Sequence, residues 1–381
     1  MTRVVVAMSG GVDSSVAAYL LKEQGYDVVG LFMRMGVEFP AACTTERTCC
    51  SAADAADARR VADQLGIPFY VLNFKDEFER IIVYFCDEYN RGRTPNPCVL
   101  CNRDLKFGKL FQYAQEIGAE YVATGHYARI VEKDGERFLQ KGVDRRKDQS
   151  YVLFTIRKAD LARILFPVGD LKKDEVRAIA RKLNLKVKNK LESQDICFVP
   201  DKDYRTLLKE RTPDKIVGGL IRDTEGNVLG THEGYQFFTL GQRKGLKIAA
   251  GKPIYVQRID AETHDVIVST NRKLYTRGLY AEEVNWLAEP DFDDEGFCRC
   301  KATIRYSQPP RAAWITKEGD RVLVKFKYKV RAVTPGQAAV FYKGETVLGG
   351  GWIAGDFPQL DEPEESDAAE MNQVDEEIEP G

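Results

Sequence analysis

One short stretch near the start of the chain, Ser9-Gly10-Gly11-Val12-Asp13-Ser14-Ser15, constrains the fold more than any other. It follows an apolar run, Val4 to Met8, that lacks polar alternation and therefore predicts a strand buried on both faces of a parallel sheet. After it, apolar residues recur at helical spacing as far as Gly25. Glycines let backbone N–H groups approach a ligand closely, and a helix N-terminus adds about half a positive charge. The stretch therefore predicts an anion-binding cradle between a first strand and a first helix.

The side chains of this loop refine the prediction. Ser9, Ser14 and Ser15 add hydroxyl donors, and Asp13 either orients the loop or holds a magnesium ion. No Gly-Lys-Ser/Thr follows the glycines, so the loop is not a Walker A motif, and its glycine spacing is not that of a dinucleotide-binding fingerprint.

Strands and helices alternate through the next hundred residues. Apolar runs predict strands at 27–33, 69–72 and 121–123, and periodic segments predict helices at 51–65, 76–89 and 103–117. This alternation predicts an α/β fold with a doubly wound parallel sheet. Ligands bind beyond the carboxyl ends of such strands. The places of interest there are the glycine loop, Met33, the segment near Cys101, and Gly125 with His126.

The rest of the chain changes character twice. Residues 150–190 are basic and predict helices, whose charged face is as consistent with solvent as with RNA. Short strands and glycine turns follow from about Gly218, and from about residue 275 the pattern is all-β, with apolar Val322, Val324 and Phe326 alternating with basic residues. We expect a catalytic domain at 1–205, a central β-rich domain at 206–272, a C-terminal β-barrel at 273–357 and an acidic disordered tail at 358–381.

Charge and composition limit the class of protein. The net charge is −2, but residues 359–381 carry ten acidic and no basic side chains, so the remainder holds 56 basic against 48 acidic residues. That excess suits a polyanionic partner such as RNA.

No apolar run reaches the length of a membrane span, and the first strand begins at once, which predicts a cytoplasmic protein without a signal peptide. Nine irregularly spaced cysteines favour a reducing compartment.

Two cysteines stand where chemistry is plausible. Cys101 precedes Asn102, a good N-cap for the helix predicted from residue 103, and the helix dipole there favours a thiolate. Cys197 lies in a polar turn entering an apolar segment, where a small buried core residue is the more common role. Cys98 and Cys101 form a Cys-x-x-Cys pair without the fourth ligand of a zinc site. With Cys197 they make three candidate ligands for an iron–sulfur cluster.

Eight motifs occur in order along the chain: SGGVDSS, TPNPCVLCN, ATGHYA, DQSYVL, ESQDICF, TLGQRKGL, IRYSQPP and TPGQ. Together they resemble the bacterial tRNA-specific 2-thiouridylase family of the PP-loop ATP pyrophosphatase superfamily. The resemblance covers residues 4 to about 355. It implies a PP-loop domain, a small central β-rich domain and a C-terminal β-barrel.

The resemblance also implies a reaction. In the family, sulfur replaces the C2 oxygen of the wobble uridine of Lys, Glu and Gln tRNAs. The oxygen attacks the α-phosphate of ATP, pyrophosphate leaves, and the oxygen later departs as AMP. ATP with Mg²⁺ is expected at ten positions: Ala7, Met8, Ser9, Gly10, Gly11, Val12, Asp13, Ser14, Met33 and Gly125.

The resemblance also implies roles for the thiols and for the residues expected to contact tRNA, because these residues lie within the matching motifs. Cys197 would take a persulfide from a sulfur-relay protein. Cys101 would be the nucleophile, which either releases the terminal sulfur by reduction or, after direct attack by the persulfide, forms a transient disulfide with Cys197. The target base is expected at Asn96, Pro97 and Cys98. Contacts with the anticodon stem-loop of tRNA are expected at His126, Asp148, Gln149, Ser150, Arg305, Tyr306 and Gln337. The protein is expected to act as a monomer, with its target base splayed out of the stack.

One position departs from the family pattern. Many members carry an aspartate, assigned to proton transfer, where this chain has Cys98. Either water or substrate handles that proton, or the third thiol joins Cys101 and Cys197 around an iron–sulfur cluster. Two further hypotheses are another AMP-forming PP-loop enzyme, such as an amidotransferase-type synthetase, and a non-catalytic RNA-binding protein. An amidotransferase-type synthetase would have no role for Cys101 and Cys197. A non-catalytic RNA-binding protein would have no role for the glycine loop.

Overall fold

The structure is a computed structural model, and it describes residues 1–36, 51–190, 196–199, 203–248, 251–306 and 308–358. The expected acidic tail lies outside the described residues from 359 onward, as do Glu192 to Asp195 of the ESQDICF motif. Within the described ranges, none of the helices has the length and apolar character needed to cross a bilayer.

The N-terminal part is built on a five-stranded parallel sheet, which confirms the predicted fold class. Its strand order is β3-β2-β1-β4-β7. Alternate residues of β1 point into different clusters: Val4 and Val6 join one, Val5 and Ala7 the other. Both faces of the sheet are therefore covered, which explains the continuous apolar run. The strands are β1 Arg3–Ala7, β2 Asp27–Arg34, β3 Phe69–Asn73, β4 Tyr121–Ala123 and β7 Ile164–Leu165.

Helices cover this sheet. Ser51 caps α2 through a capping box with Asp54, as the sequence spacing predicts, and Gly66 ends it in the left-handed conformation. The helices are α1 Val12–Glu23, α2 Ala52–Leu65, α3 Lys75–Asn90, α4 Pro97–Leu100, α5 Leu110–Glu116, α6 Lys173–Lys182 and α7 Tyr204–Arg211, with a π-helix, Cys101–Lys109, between α4 and α5.

Residues 150–190 are less helical than the composition predicts. Besides α6, the helical segments in these residues are the 3-10 turns Ser150–Leu153 and Lys158–Arg163, and the short strand β7 follows the second turn. Pro167 lies in the middle of the region, and Gly169 packs so closely on Ala128 that a Cβ would come within 1.8 Å of its carbonyl oxygen. A proline and a forced glycine interrupt helix propagation, so the helices predicted for this region are reduced to α6 and two short turns.

A small four-stranded sheet forms the centre of the chain, with strand order β10-β11-β8-β9. β8 pairs with β11 in parallel, and the other two pairings are antiparallel. The strands are β8 Gly219–Arg222, β9 Val228–His232, β10 Tyr255–Asp260 and β11 Asp265–Ser269.

The C-terminal strands close into a six-stranded antiparallel barrel, which confirms the predicted β-barrel. The order is β12-β15-β14-β13-β16-β17, and β17 pairs back with β12. Val322, Val324 and Phe326 lie in its core, as their alternation predicts. The strands are β12 Tyr275–Trp286, β13 Phe297–Thr303, β14 Arg311–Glu318, β15 Arg321–Arg331, β16 Ala338–Lys343 and β17 Thr346–Ile353.

One hairpin of the N-terminal part joins the barrel. β5 Ala128–Lys133 and β6 Glu136–Lys141 extend the barrel sheet through the pair Gln140 and Thr346. The sequence prediction missed this hairpin, although its Asp134-Gly135 turn, with both φ angles positive, is a typical hairpin signal. The hairpin ties the two parts of the protein together.

Candidate functional site

The glycine loop forms the predicted cradle between β1 and α1. Gly10 has a φ of +71°, and a Cβ there would come within 2.3 Å of the Asp54 carbonyl oxygen, so only glycine fits. The Ser14 hydroxyl accepts from the Ser9 N–H at 3.1 Å and shapes the turn. Gly11 is the N-cap of α1. As a glycine, it has no side chain to accept hydrogen bonds from the first amides of the helix. The first amides of α1 can therefore serve an anion.

Asp13 is held by two groups that the sequence did not place there. Lys173 Nζ lies 2.8 Å from each Asp13 carboxylate oxygen, and the Tyr127 hydroxyl donates to Oδ1 at 2.8 Å. The Lys173 side chain is only 7% exposed. Lys173 therefore faces neither solvent nor an RNA, which are the two alternatives that the sequence left open for the basic segment 150–190. Of the two roles left open for Asp13, orienting the loop is the one this contact supports.

The N-terminus of α2 packs against the same loop. Asp54 is buried, and Lys190 Nζ bridges Asp54 Oδ1 at 2.6 Å and Asp57 Oδ2 at 2.7 Å. Two helix N-termini and two lysines thus surround the glycines. The lysines neutralise carboxylates of Asp13, Asp54 and Asp57, so the two helix N-termini are the groups here that suit a polyphosphate.

Other residues predicted to bind ATP lie at the same edge of the sheet. Met33 is half-buried near the end of β2, and Gly125 follows β4, the strands on either side of β1. A Cβ on Gly125 would come within 2.6 Å of the Ser14 N atom, so β4 and the loop touch through their backbones. The structure brings together the segment Ala7 to Ser14, Met33 and Gly125, and their binding of ATP stays a prediction.

His126 is buried beside this edge. Its Nδ1 lies 2.6 Å from Thr124 Oγ1 and its Nε2 lies 3.4 Å from Lys106 Nζ. Burial, and then the Lys106 charge, hold the His126 pKa well below its usual value. The imidazole is therefore neutral at pH 7. His126 is only 7% exposed. Its contact with tRNA stays a prediction.

The neutral His126 predicts a pH-dependent stability. Because its folded pKa is depressed, the unfolded chain takes up a proton below about pH 6.5 that the folded chain refuses. We expect the free energy of unfolding to fall by up to about 1.4 kcal/mol per pH unit below that point from this residue. Urea unfolding from pH 7.5 to 5.0 should show a shallower pH slope for His126→Gln. Parallel slopes for the two proteins would contradict the prediction.

The cysteine helix begins earlier than predicted. Asn96 is the N-cap and Pro97 the first helical residue, and the helix continues from α4 through the π-helix that opens at Cys101. Asn102 lies inside the helix and donates through Nδ2 to the Val152 carbonyl at 2.9 Å, so its prediction as an N-cap was wrong. The helix N-terminus adjoins the exposed Cys98, whereas half-buried Cys101 stands one turn further on. π-helices are frequent at functional sites.

Cys197 and Cys101 lie against the same hydrophobic cluster, and both are partly buried. The next residue, Phe198, anchors the Cys197 segment by edge-on contacts with Phe78 and Phe85 at 5.5 and 5.1 Å between ring centroids. The structure thus places both thiols on the same side of the sheet. Their predicted roles as nucleophile and persulfide carrier stay predictions.

Most residues expected to contact tRNA are engaged within the protein. Asp148 accepts from the Gly142 and Ser150 amides and from the Ser150 hydroxyl, and burial raises its pKa. Gln149 Oε1 accepts from the Tyr127 amide at 3.0 Å. By contrast, Tyr306 is 51% exposed. These engagements show that the DQSYVL motif has a structural role, and its contact with tRNA stays a prediction.

The described residues offer no ready-made metal centre. Among them, no group of three or more His, Cys, Asp or Glu side chains is close enough to hold a metal ion. Cys98, Cys101 and Cys197 are all described, so the three thiols do not fit an iron–sulfur cluster in this conformation. Asp13 is the carboxylate beside the cradle, and both of its oxygens bind Lys173. Mg²⁺ that arrives with a nucleotide takes many of its ligands from phosphate and water.

Family models cover nearly the whole chain. They are described as a tRNA methyl transferase HUP domain at residues 2–201, a tRNA methyl transferase PRC-barrel domain at 205–270 and an aminomethyltransferase β-barrel domain at 276–353. A tRNA-specific 2-thiouridylase of Carboxydothermus hydrogenoformans is 51% identical over 92% of this chain and 97% of its own. The chain belongs to the tRNA-specific 2-thiouridylase family.

A second relative agrees with this assignment. A tRNA-specific 2-thiouridylase of Clostridium tetani is 49% identical over 92% of this chain and 98% of its own. Among solved structures, a 4-thiouridine synthetase–RNA complex with bound ATP is 17% identical and covers 56% of this chain and 51% of its own. The TM-score for that pair of structures is 0.35.

Proposed function

We propose that this protein is a tRNA-uridine 2-sulfurtransferase that replaces the C2 oxygen of the wobble uridine of Lys, Glu and Gln tRNAs with sulfur, consuming ATP. The observation that carries the proposal is the 51% identity, over 97% of its length, to a protein named as a tRNA-specific 2-thiouridylase. The glycine loop and the two thiols on one side of the sheet agree with such a two-part reaction.

The first part would take place at the glycine loop. The uridine oxygen attacks the α-phosphate of ATP, pyrophosphate leaves, and the base becomes an adenylated electrophile. The amides of α1 would bind the pyrophosphate, and Asp13, held by Lys173 and Tyr127, would keep the loop in shape. When bound near Asp13 with the nucleotide, Mg²⁺ would offset phosphate charge.

The second part would use the cysteines. A sulfur-relay protein leaves a persulfide on Cys197, and its terminal sulfur attacks C2, from which the oxygen departs with AMP. The Cys101 thiolate then attacks the Cys197 sulfur, breaking the sulfur–sulfur bond so that the terminal sulfur stays on the base. A Cys101–Cys197 disulfide forms, and a thiol reductant must supply two electrons to restore both thiols. An iron–sulfur variant would require Cys98 to converge with them.

The decisive experiment supplies unmodified tRNA, ATP with Mg²⁺ and a persulfide donor, and then analyses nucleosides by mass spectrometry. We expect 2-thiouridine together with AMP and pyrophosphate. Absence of 2-thiouridine would defeat the proposal. Anaerobic purification followed by iron and labile-sulfide assays separates the two versions, since full activity without iron excludes the cluster.

A further inference from the structure

The segment that leads into the cysteine helix is held by the C-terminal barrel. The Thr94 amide donates to the Pro335 carbonyl at 2.9 Å, just before β16. The neighbouring Gly336 has a φ of +86°, and a Cβ there would lie 2.8 Å from the Thr94 carbonyl oxygen. Two backbones separated by more than two hundred residues are therefore in direct contact.

Gln337 strengthens this contact with its side chain. Its Nε2 donates to the Thr94 carbonyl at 3.1 Å and to the Pro95 carbonyl at 3.0 Å. Both partners are carbonyls, which only accept, so the orientation of the amide is determined by its surroundings. A single amide group thus bridges two consecutive peptide units immediately before the N-cap Asn96.

Both sides of this contact are themselves supported. On the side of the cysteine helix, Arg93 Nε lies 2.8 Å from the buried Glu88 carboxylate. On the side of the barrel, Arg305 donates to the Ala332 carbonyl and the Thr334 hydroxyl, each at 2.8 Å. A rigid support on each side means that a shift in the barrel loop displaces the start of the cysteine helix.

A third link passes through the DQSYVL motif. The buried Tyr151 hydroxyl donates to the Ala338 carbonyl at 2.9 Å and lies within reach of the Asn96 side chain. The Asn102 side chain binds the next residue, at the Val152 carbonyl. The 3-10 turn Ser150–Leu153 therefore contacts the barrel through Tyr151 and the cysteine helix through Val152.

We propose that Gln337 is a positioning residue, which holds the Thr94–Pro95 segment and thereby sets the place of Cys98 and Cys101 relative to the glycine loop. This rests on the proposed function for its catalytic consequence, whereas its structural consequence is independent of substrate. It gives Gln337 a role distinct from the tRNA contact that the family resemblance implies.

Gln337→Glu is the sharpest variant, because it keeps the shape but places an acceptor against two carbonyl oxygens. Without tRNA, we expect amide hydrogen exchange at Thr94 to accelerate about tenfold or more, as two lost hydrogen bonds imply. In turnover we expect kcat to fall at least about tenfold, with KM for tRNA within about twofold of wild type. Gln337→Ala, which adds no charge, should move both quantities in the same direction.

Gln140→Glu is the matched control, since Gln140 donates to Thr346 in the same sheet away from the cysteine helix. It should leave Thr94 exchange and kcat at wild-type values. Wild-type exchange at Thr94 in both Gln337 variants would overturn the proposal, as would an unchanged kcat with a raised KM for tRNA. If wild-type protein forms no 2-thiouridine, the proposed function fails while the exchange experiment still decides the role of Gln337.

Discussion

Replacing Lys173 by methionine is expected to lower tRNA-dependent pyrophosphate release by about 10²-fold, the effect typical of misplacing a binding loop by about 1 Å. The buried ammonium holds both oxygens of Asp13 in the glycine loop. Without Lys173, Asp13 keeps the Tyr127 hydroxyl, but its negative charge beside the cradle is no longer neutralised and would repel a bound phosphate. Pyrophosphate release with saturating tRNA measures the effect.

Lys172→Met is the matched control for this variant. Lys172 is the adjacent residue and is exposed, so its removal should change pyrophosphate release by less than about twofold. Thermal unfolding of both variants separates a lost fold from a lost cradle. Equal activity of the two variants would show that Lys173 has no part in the nucleotide site.

Replacing Cys197 by serine is expected to reduce 2-thiouridine formation by at least about 10³-fold, since a serine cannot carry a persulfide. Pyrophosphate release should persist, because the glycine loop does not include Cys197. Cys101→Ser should release no 2-thiouridine when no other thiol is supplied, since nothing then breaks the bond between the Cys197 sulfur and the sulfur on C2. Nucleoside mass spectrometry and pyrophosphate assays on the same samples separate the two half-reactions.

Cys86→Ala serves as the cysteine control. Burial raises the pKa of the Cys86 thiol to about 11, so it stays protonated at pH 7. We expect its loss to leave 2-thiouridine formation within about twofold of wild type. Full activity of Cys197→Ser alongside it would refute the persulfide role.

The local elements near the glycine loop were predictable because short-range physics determines them. A strand buried on both faces must be apolar throughout, and a turn that contacts another backbone must carry glycine, so residues 4–25 had one reasonable interpretation. The same holds for the capping box of Ser51 and Asp54 and for the alternation along β15. Each pattern depends on neighbours a few positions apart.

The wrong predictions concern residues whose partners lie far away along the chain. Asn102 has the residue type of an N-cap, but Asn96 and Pro97 start the helix earlier, and Asn102 binds a carbonyl fifty positions away. Lys173 belongs to a basic run that is as consistent with solvent as with RNA, and the packing of α6 on α1 brings it to Asp13.

The sequence by itself determined the parallel sheet, the glycine loop, the barrel and the family. The tertiary structure alone decided that Lys173 serves Asp13, that His126 is neutral, and that Gln337 holds the approach to the cysteine helix. The physical reason is distance along the chain. Backbone geometry and periodic burial are local properties, whereas the partner of a buried charge or of a carbonyl is chosen by the packing of remote segments.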